Sequence, residues 1–480
     1  MNGQLEKITL KEKIGYGLGD AASSMFWKIF GMYSLFFYTD VMGITAAAAG
    51  TMFLVARVWD SFFDLLVGIM ADRTKTRWGK YRPYILWFAI PLMVMGIFTF
   101  YAPDFSQSGK LVYSYLTYSL IMIVYSLLNV PYASLLAVIS PDPKVRNELS
   151  SYRMAFAFIG SFVTFMLLQP LIDFFSRSFD GNSSQLSETA VTTVSTSPVG
   201  WVLGVATIGL ICCILFFLCF SWTRERVQQI QEGEKPSVRQ DLNDLLHNSP
   251  WWILVATGLM ALLFNAIRDG VAIYYFRDYV RFNYKMAITG WDTTTVYFLV
   301  GQAANLIGVV LAPSISARYG KKRTYMIAVA LAGILSTLFY FVPNQIGWIL
   351  VMQFIISVCA GYVLPLLWSM FADIVDYQEL KNGRRASGLI FSSSSMSQKL
   401  GWALGASLSG WLLFAFGYND ELARTGLEQA AETLWGEKIM ITLLPAASCL
   451  LALIGMSFYP LSEKRVAEIT SELNKRRSKA

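Results

Sequence analysis

The sequence predicts an all-α integral membrane protein with twelve transmembrane helices in two six-helix lobes. Three observations support this fold class. The 480 residues are 55% hydrophobic and only 15% charged, whereas soluble globular proteins carry about 25% charged residues. Apolar runs of roughly 20 residues, the length that crosses a bilayer as a helix, recur along the whole chain. The longest charged connector lies near the midpoint, with six apolar runs on either side.

The apolar runs define both the spans and the predicted domains. The N-terminal lobe is expected at 1–222, a central cytoplasmic loop at 223–249, the C-terminal lobe at 250–462 and a cytoplasmic tail at 463–480. The residues before the first run do not have the pattern of a secretory signal. The approximate cores of the spans are 21–42, 48–70, 84–102, 112–139, 153–174, 200–221, 252–276, 294–315, 324–343, 347–372, 388–416 and 439–460.

Basic residues concentrate in alternate connectors. Of the 39 Lys and Arg residues, 27 fall on one side of this topology. The positive-inside rule therefore predicts that both termini are cytoplasmic, in a multi-pass protein of a bacterial-type cytoplasmic (inner) membrane. Each basic cluster is a short loop next to a span, so the net charge of +7 does not indicate nucleic-acid binding. The lipid bilayer is the expected partner, and the protein is expected to function as a monomer.

Two connectors repeat one half apart. The segments 68-GIMADRTKTRWGKYRP-83 and 313-PSISARYGKKRTY-325 both place a Gly-Lys pair and flanking basic residues at the corresponding turn. Such internal repeats are typical of two-lobed carriers, whose binding sites lie near the middle of the bilayer.

Charged residues inside the predicted spans are the functional candidates. A charge at the bilayer centre costs at least about 2.5–3.5 kcal/mol and normally faces a protein interior or an aqueous path. Asp60 and Asp64 lie one turn apart on one helix face. They repel each other, and Arg57 cannot neutralise both, whereas a bound cation can. For Arg268 beside Asp269, the favoured interpretation is a structural ion pair that locks two helices.

Several motifs together resemble the glycoside–pentoside–hexuronide:cation symporter family over essentially the whole chain. They are 52-MFLVARVWDSFFDLLVGIMADRTKTRWGKYRPYIL-86, 16-YGLGD-20, 35-LFFYTDVMGI-44, 129-NVPYASL-135, 368-WSMFADIVDYQEL-380 and 384-RRASG-388. The resemblance implies a major-facilitator fold. It also implies that Asp60 and Asp64 help to hold the coupling Na⁺, H⁺ or Li⁺, with Asn129 at a family aspartate that serves both cation and sugar. The predicted cation site, written for Na⁺ as the metal, is Asp60, Asp64 and Asn129.

The resemblance also implies a substrate site, which departs from the family at Ser24, where the family has a sugar-binding aspartate. Asp20, Ser24 and Lys28 form one stripe at i, i+4 and i+8. Lys28 either contacts an acidic sugar, or pairs with Asp60 and replaces the cation, or extends towards lipid headgroups. The predicted substrate-binding residues are Asp20, Ser24, Lys28, Tyr125, Arg153, Trp368, Ser395 and Lys399.

A gate is predicted at the segment 372–388, which mixes acids and bases. Its residues are expected to form salt bridges between the lobes that break as the inner gate opens. Static surface pairs of little energetic value are the alternative. The predicted gating residues are Arg73, Asp373, Asp376, Arg384 and Arg385.

These features predict a secondary transporter that imports a sugar or glycoside together with Na⁺, H⁺ or Li⁺ by alternating access. An acidic sugar, such as a hexuronide or sulfosugar, is one option for the substrate. The alternatives are a carrier of the lysophospholipid type and an uncoupled sugar facilitator. An enzyme is not expected, since the single histidine, His247, lies in a loop and the five cysteines lack metal-ligand spacing. No cofactor is expected beyond the coupling ion.

Overall fold

The computed structural model describes residues 8–140, 143–179, 195–226, 243, 245–281, 291–382, 387–425 and 427–479. Within these ranges the regular elements are helices and no strand is present, which confirms the all-α prediction. The long helices are α1 (Leu10–Lys28, continued by Ile29–Tyr33, Ser34–Phe36 and Phe37–Val41), α2 (Ala46–Arg73), α3 (Arg82–Thr99), α4 (Gln107–Ile139), α5 (Pro143–Phe179), α6 (Pro198–Trp222), α7 (Ser249–Tyr274, continued by Tyr275–Val280), α8 (Thr293–Tyr319), α9 (Lys321–Phe339), α10 (Ile346–Gly361 and Val363–Asn382), α11 (Ser387–Ala415), α12 (Ala431–Ile441 and Leu443–Ser457) and α13 (Glu463–Lys479).

Nine of the helices in the described ranges are long and apolar enough to cross a membrane, namely α3 to α10 and α12. The helices α1, α2 and α11 carry charged residues such as Asp20, Asp60 and Lys399, which lower their hydropathy. For these three helices, the prediction of a membrane span therefore rests on their length and not on their hydropathy. These three helices hold seven of the eleven predicted cation and substrate residues.

The chain divides into two compact units. Unit 1 contains Met1–Gln231, Arg281–Thr295 and Tyr418–Gln429, and unit 2 contains the remainder. The last two segments of unit 1 lie, by sequence, in the predicted C-terminal lobe. Each unit repeats the same helix pairings: α1 packs on α5 and α6 as α7 packs on α11 and α12, and α3 packs on α4 and α6 as α9 packs on α10 and α12.

Glycine permits the closest of these pairings in both units. A Cβ atom added to Gly160 of α5 would lie 2.3 Å from the carbonyl oxygen of Ala21 on α1, and one added to Gly405 of α11 would lie 2.3 Å from Cβ of Ala266 on α7. Small residues allow helix backbones to approach closely in membranes, where packing replaces the hydrophobic effect as the main attraction. In each half, a glycine therefore allows close packing of the equivalent helices, α1 with α5 and α7 with α11.

The two Gly-Lys turns have the same backbone form. Gly79 has φ +109° and Gly320 has φ +87°, a region that favours glycine. The Glu225 carboxylate, just after α6, accepts the backbone N–H groups of Lys80 and Tyr81, each at 2.8 Å, and of Arg82 at 2.9 Å. The Glu463 carboxylate accepts the backbone N–H of Lys321. In each unit, a glutamate that follows the sixth predicted span of its half, α6 or α12, thus caps the turn.

The first helix of each half ends in π-helical turns, Phe37–Val41 in α1 and Tyr275–Val280 in α7. Each of these turns holds a buried aspartate. Asp40 accepts a hydrogen bond from the Tyr418 hydroxyl at 2.6 Å, and Asp278 accepts one from Nε of Arg277 at 2.8 Å. The repeat of the two halves therefore extends to these helix ends.

Candidate functional site

A buried carboxylate of α2 meets a hydroxyl of α4 inside unit 1. Asp60 is 2% exposed, and the Ser126 hydroxyl donates a hydrogen bond to its Oδ1 at 2.6 Å. On the other side, Nη1 of Arg57 lies 3.7 Å from Oδ2 of Asp60. This distance is an ion pair without a direct hydrogen bond. The Arg57 guanidinium also lies over the Trp27 ring, 4.3 Å from its centroid.

The helices α2 and α4 run in the same direction. The Gln107 side chain at the start of α4 donates to the carbonyl oxygen of Gly43 just before α2 at 2.6 Å, and further along the two helices Ser126 meets Asp60. Asp64 and Asn129 follow these two residues by about one turn, and both are half-buried. The predicted cation residues therefore lie on two adjacent helices at matching levels.

The chemistry of this region is that of carboxylates with neutral oxygens. In the part of the chain that the structure describes, no group of three His, Cys, Asp or Glu side chains is arranged to hold a metal ion. A cation at this place would have Asp60, Asp64 and neutral oxygen atoms as ligands, which is the oxygen set that hard cations prefer.

A second ion pair joins α1 to α5. Nε of Arg153 lies 3.3 Å from Oδ2 of Asp20, and its guanidinium is 5.4 Å from the centroid of the Tyr132 ring. The Tyr132 hydroxyl donates to the carbonyl oxygen of Tyr16 at 2.6 Å, which ties α4 to α1 beside this pair. Two of the predicted substrate residues, Asp20 and Arg153, are thus brought together.

Tyr125 of α4 lies beside the residues that hold the Asp60–Arg57 pair. Its ring centroid lies 5.8 Å from that of Trp27, the ring that the Arg57 guanidinium overlies. The structure therefore brings the predicted cation and substrate residues of unit 1 into one polar region that includes α1, α2, α4 and α5.

The remaining predicted residues of α1 lie beside this region. Ser24 and Lys28 are half-buried, and the Lys28 ammonium lies 5.7 Å from the centroid of the Phe165 ring on α5. A cation that faces an aromatic ring is attracted by the ring's electron density. The three alternatives for Lys28 remain predictions.

In unit 2, Trp368 is 36% exposed and Lys399 is half-buried. Ser395 belongs to α11, but its side chain is outside the described part of the structure. Of the predicted gating residues, Asp373 accepts from the Lys321 ammonium of the same unit at 2.7 Å, Asp376 is half-buried and Arg73 is exposed. Arg384 and Arg385 lie outside the described residues.

The expected ion pair of Arg268 with Asp269 is not formed, because the Arg268 guanidinium is bonded to residues of two other helices. Arg268 is buried, and its guanidinium donates to Oε1 of Gln353 at 2.6 Å and to the Tyr297 hydroxyl at 3.1 Å. The expectation that Arg268 links helices is correct, since it joins α7, α8 and α10. Its partners, however, are neutral.

Sequence reasoning missed three of these partners. Ser126 could have been found, because it lies three residues before Asn129 on the same face of α4. Tyr297 and Gln353 carry no comparable signal, since a neutral residue in an apolar helix looks like ordinary packing. Their role depends on which helices become neighbours.

Comparisons with known proteins agree with this architecture. A family model described as "MFS/sugar transport protein" matches residues 15–463. The "Glucuronide carrier protein homolog" of Escherichia coli (strain K12) is 34% identical over 483 residues, with 99% of this chain and 97% of the relative covered. The "Inner membrane symporter YicJ" of the same organism is 34% identical over 471 residues, with 98% and 95% covered. The crystal structure of nucleoside transporter NupG has a TM-score of 0.61 at 16% identity, with 95% of this chain and all of that chain covered, and this likeness shows the fold alone.

Proposed function

Because this chain belongs to the glycoside–pentoside–hexuronide:cation symporter family of the major facilitator superfamily, we propose that it uses inward Na⁺ movement to import a sugar or glycoside. The family and the relatives are membrane transporters, so the chain is a transporter and not an enzyme. The observation that carries the choice of a cation site is the buried Asp60 between Ser126 and Arg57.

The cation half of the mechanism depends on the negative charge of Asp60 and Asp64. Arg57 lies 3.7 Å from the Asp60 carboxylate and against the Trp27 ring, and it brings one positive charge for two carboxylates. A Na⁺ ion between Asp60 and Asp64 reduces the repulsion between the two carboxylates. Asn129, one turn beyond Ser126, supplies a carbonyl oxygen without adding charge.

Coupling follows from the shared polar region. The Arg57 guanidinium lies over the Trp27 ring, and Trp27 lies beside Tyr125, so a shift of Arg57 on cation binding changes the aromatic surface offered to the sugar. Thermodynamic linkage requires that the sugar then raises the cation affinity by the same factor. The membrane potential contributes about 2.3 kcal/mol per charge per 100 mV to inward movement.

For the substrate, we propose an acidic sugar. Lys28 and Arg153 give the region beside Ser24 a positive bias, and a relative 34% identical to this chain is named for glucuronide. Aromatic stacking on Trp27 and Tyr125 suits a sugar ring. Trp368, Ser395 and Lys399 of unit 2 complete the proposed substrate set. If Lys28 instead replaces the cation, transport is uncoupled.

The topology is part of the same proposal. Both termini are placed in the cytoplasm of a bacterial inner membrane, in agreement with the basic connectors. The gating residues of the segment 372–388 are proposed to exchange partners as the carrier opens, and the Asp373–Lys321 pair is one that an exchange would replace. Labelling of single cysteines introduced at the exposed positions Leu10 and Glu463, from each side of the membrane, tests the orientation.

The decisive experiment measures uptake in proteoliposomes with Na⁺, Li⁺ or proton gradients and a panel of neutral and acidic glycosides. Asp60→Asn and Asp64→Asn are each expected to reduce Na⁺-stimulated uptake at least about tenfold, as for a lost interaction with a charged group. Asp104→Asn, an exposed position, is the matched control. Unchanged Na⁺ stimulation in both site variants refutes the cation site. Uptake by the native protein that none of the three gradients stimulates supports the uncoupled alternative.

A further inference from the structure

A basic cavity lies in unit 2 where α8 ends and α9 begins. Its volume is about 750 Å³, and its wall includes residues of α10 and the segment Ser462–Lys464. The described residues of this wall include none of the predicted cation or substrate residues. Its basic members are Arg318, Lys321, Lys322, Arg323 and Lys464.

The positive charge of this wall is only partly balanced. Among its described residues, Glu463 is the one acid, and it already accepts the backbone N–H of Lys321. The Lys321 ammonium is paired with Asp373. The Lys322 ammonium donates to the carbonyl oxygens of Ser457 and Tyr459 at 3.2 and 2.6 Å, which are neutral acceptors.

The other three basic side chains are available to an anion. Arg318, Arg323 and Lys464 are exposed, and Arg318 lies 5.5 Å from the centroid of the Tyr319 ring. Guanidinium groups present a planar set of donors that matches the oxygens of phosphate. The cavity is therefore suited to a phosphate group.

An apolar groove continues from the basic cavity. It is lined by Tyr319, which also lines the basic cavity, and by seven further residues: Ile315, Thr324, Ile327, Ala328, Leu331, Cys359 and Tyr362. From Thr324 to Leu331 the groove follows α9 for about 10 Å, at 1.5 Å per residue. Ile327 and Leu331, one turn apart, are 56% and 46% exposed.

We propose that this composite site binds one anionic phospholipid, such as phosphatidylglycerol or cardiolipin. The phosphodiester lies against Arg318, Arg323 and Lys464, and an acyl chain lies in the groove between α8, α9 and α10. Basic pockets between transmembrane helices at the cytoplasmic side bind anionic headgroups, and the proposed topology places this end of unit 2 there. The site is separate from the proposed transport residues.

The combination of features selects a lipid rather than a soluble anion. A free phosphate uses the basic cavity but gains nothing from Ile327 and Leu331. A zwitterionic lipid uses the groove but carries no net negative charge for the three basic groups. The phosphodiester of a zwitterionic lipid also fits the basic cavity, but the basic groups repel its ammonium, so an anionic lipid gains most from the two parts together.

The experiment is lipid binding to the full-length, delipidated protein in detergent, measured by native mass spectrometry with phosphatidylglycerol added. We expect one retained phosphatidylglycerol, with phosphatidylcholine and phosphatidylethanolamine of the same chains at least about tenfold weaker. The variant Arg318→Gln/Arg323→Gln is expected to weaken phosphatidylglycerol binding about thirtyfold, from about fivefold per basic residue near an anionic membrane.

The matched control is Lys75→Gln/Arg77→Gln, which removes two exposed basic residues from the equivalent turn of unit 1 and should leave phosphatidylglycerol binding unchanged. Arg318→Lys/Arg323→Lys keeps the charge, should recover most of the affinity, and checks that the glutamine variant is folded. The proposal is overturned if the glutamine and control variants lose the same affinity. It is also overturned if inorganic phosphate displaces the lipid completely, or if the three lipids bind alike.

Discussion

Away from the π-helical ends of α1 and α7, the two units hold their arginines in different ways. In unit 1, buried or half-buried acids pair with arginines, as Asp20 does with Arg153 and Asp60 with Arg57. In unit 2, the buried Arg268 is held by neutral oxygens of Tyr297 and Gln353. An acid–base pair can accept a mobile cation as an additional counter-charge, whereas a guanidinium held by neutral groups cannot. The comparison leaves aside the Arg277–Asp278 pair at the π-helical end of α7, and it supports the proposal that ion coupling belongs to unit 1.

The variant with the largest expected effect on this difference between the units is Arg57→Gln. Loss of one partner of a buried pair leaves the Asp60 carboxylate uncompensated, at an expected cost of about 3–5 kcal/mol. If Na⁺ binds at Asp60, high Na⁺ should recover part of this stability, since a ligand of the folded state stabilises it. The measurement is thermal unfolding in detergent, with choline replacing Na⁺ as the control.

The double variant Arg57→Gln/Asp60→Asn sharpens the same test. Removal of both charges should restore most of the stability while making it independent of Na⁺. Equal Na⁺ dependence of the double variant and of Arg57→Gln would show that the ion binds elsewhere.

The counterpart in unit 2 is Arg268→Gln. It removes two hydrogen bonds from a charged donor and leaves the Tyr297 and Gln353 oxygens to find new partners, at an expected cost of about 1–3 kcal/mol. Because no acid is left unpaired, Na⁺ should not recover the loss. A stability that depends on Na⁺ in this variant would contradict the division of roles between the units.

The smallest expected effects concern the two Gly-Lys turns. Glu225 accepts three backbone N–H groups and Glu463 accepts one. Glu225→Gln should therefore lower the free energy of unfolding by about 1–3 kcal/mol, and Glu463→Gln by less than about 1 kcal/mol. The thermal unfolding midpoints of the two variants, measured under the same conditions, check which variant is less stable. A larger loss for Glu463→Gln would contradict the expected order.

The fold class could be predicted from sequence because length, apolar runs and basic connectors report directly on the bilayer. Asp60, Asp64 and Asn129 could be placed together because helical spacing and the family resemblance agree. The partners of Arg268 could not be predicted, because the neighbouring Asp269 suggested a pair, whereas Tyr297 and Gln353 come from helices that are distant along the chain. The glutamates that cap the two Gly-Lys turns could not be predicted from sequence either. Glu225, for example, lies far along the chain from Lys80, and only the folded helices bring the two residues together.

The π-helical ends of α1 and α7 affect any comparison of this chain with its relatives. A wide turn takes in one residue more than an α-helical turn at the same place. A relative without the turn should therefore align with a single-residue gap before Asp40 or Asp278. An alignment that omits the gap turns every following side chain of that helix by about 100° and places the wrong residue at the Tyr418 contact.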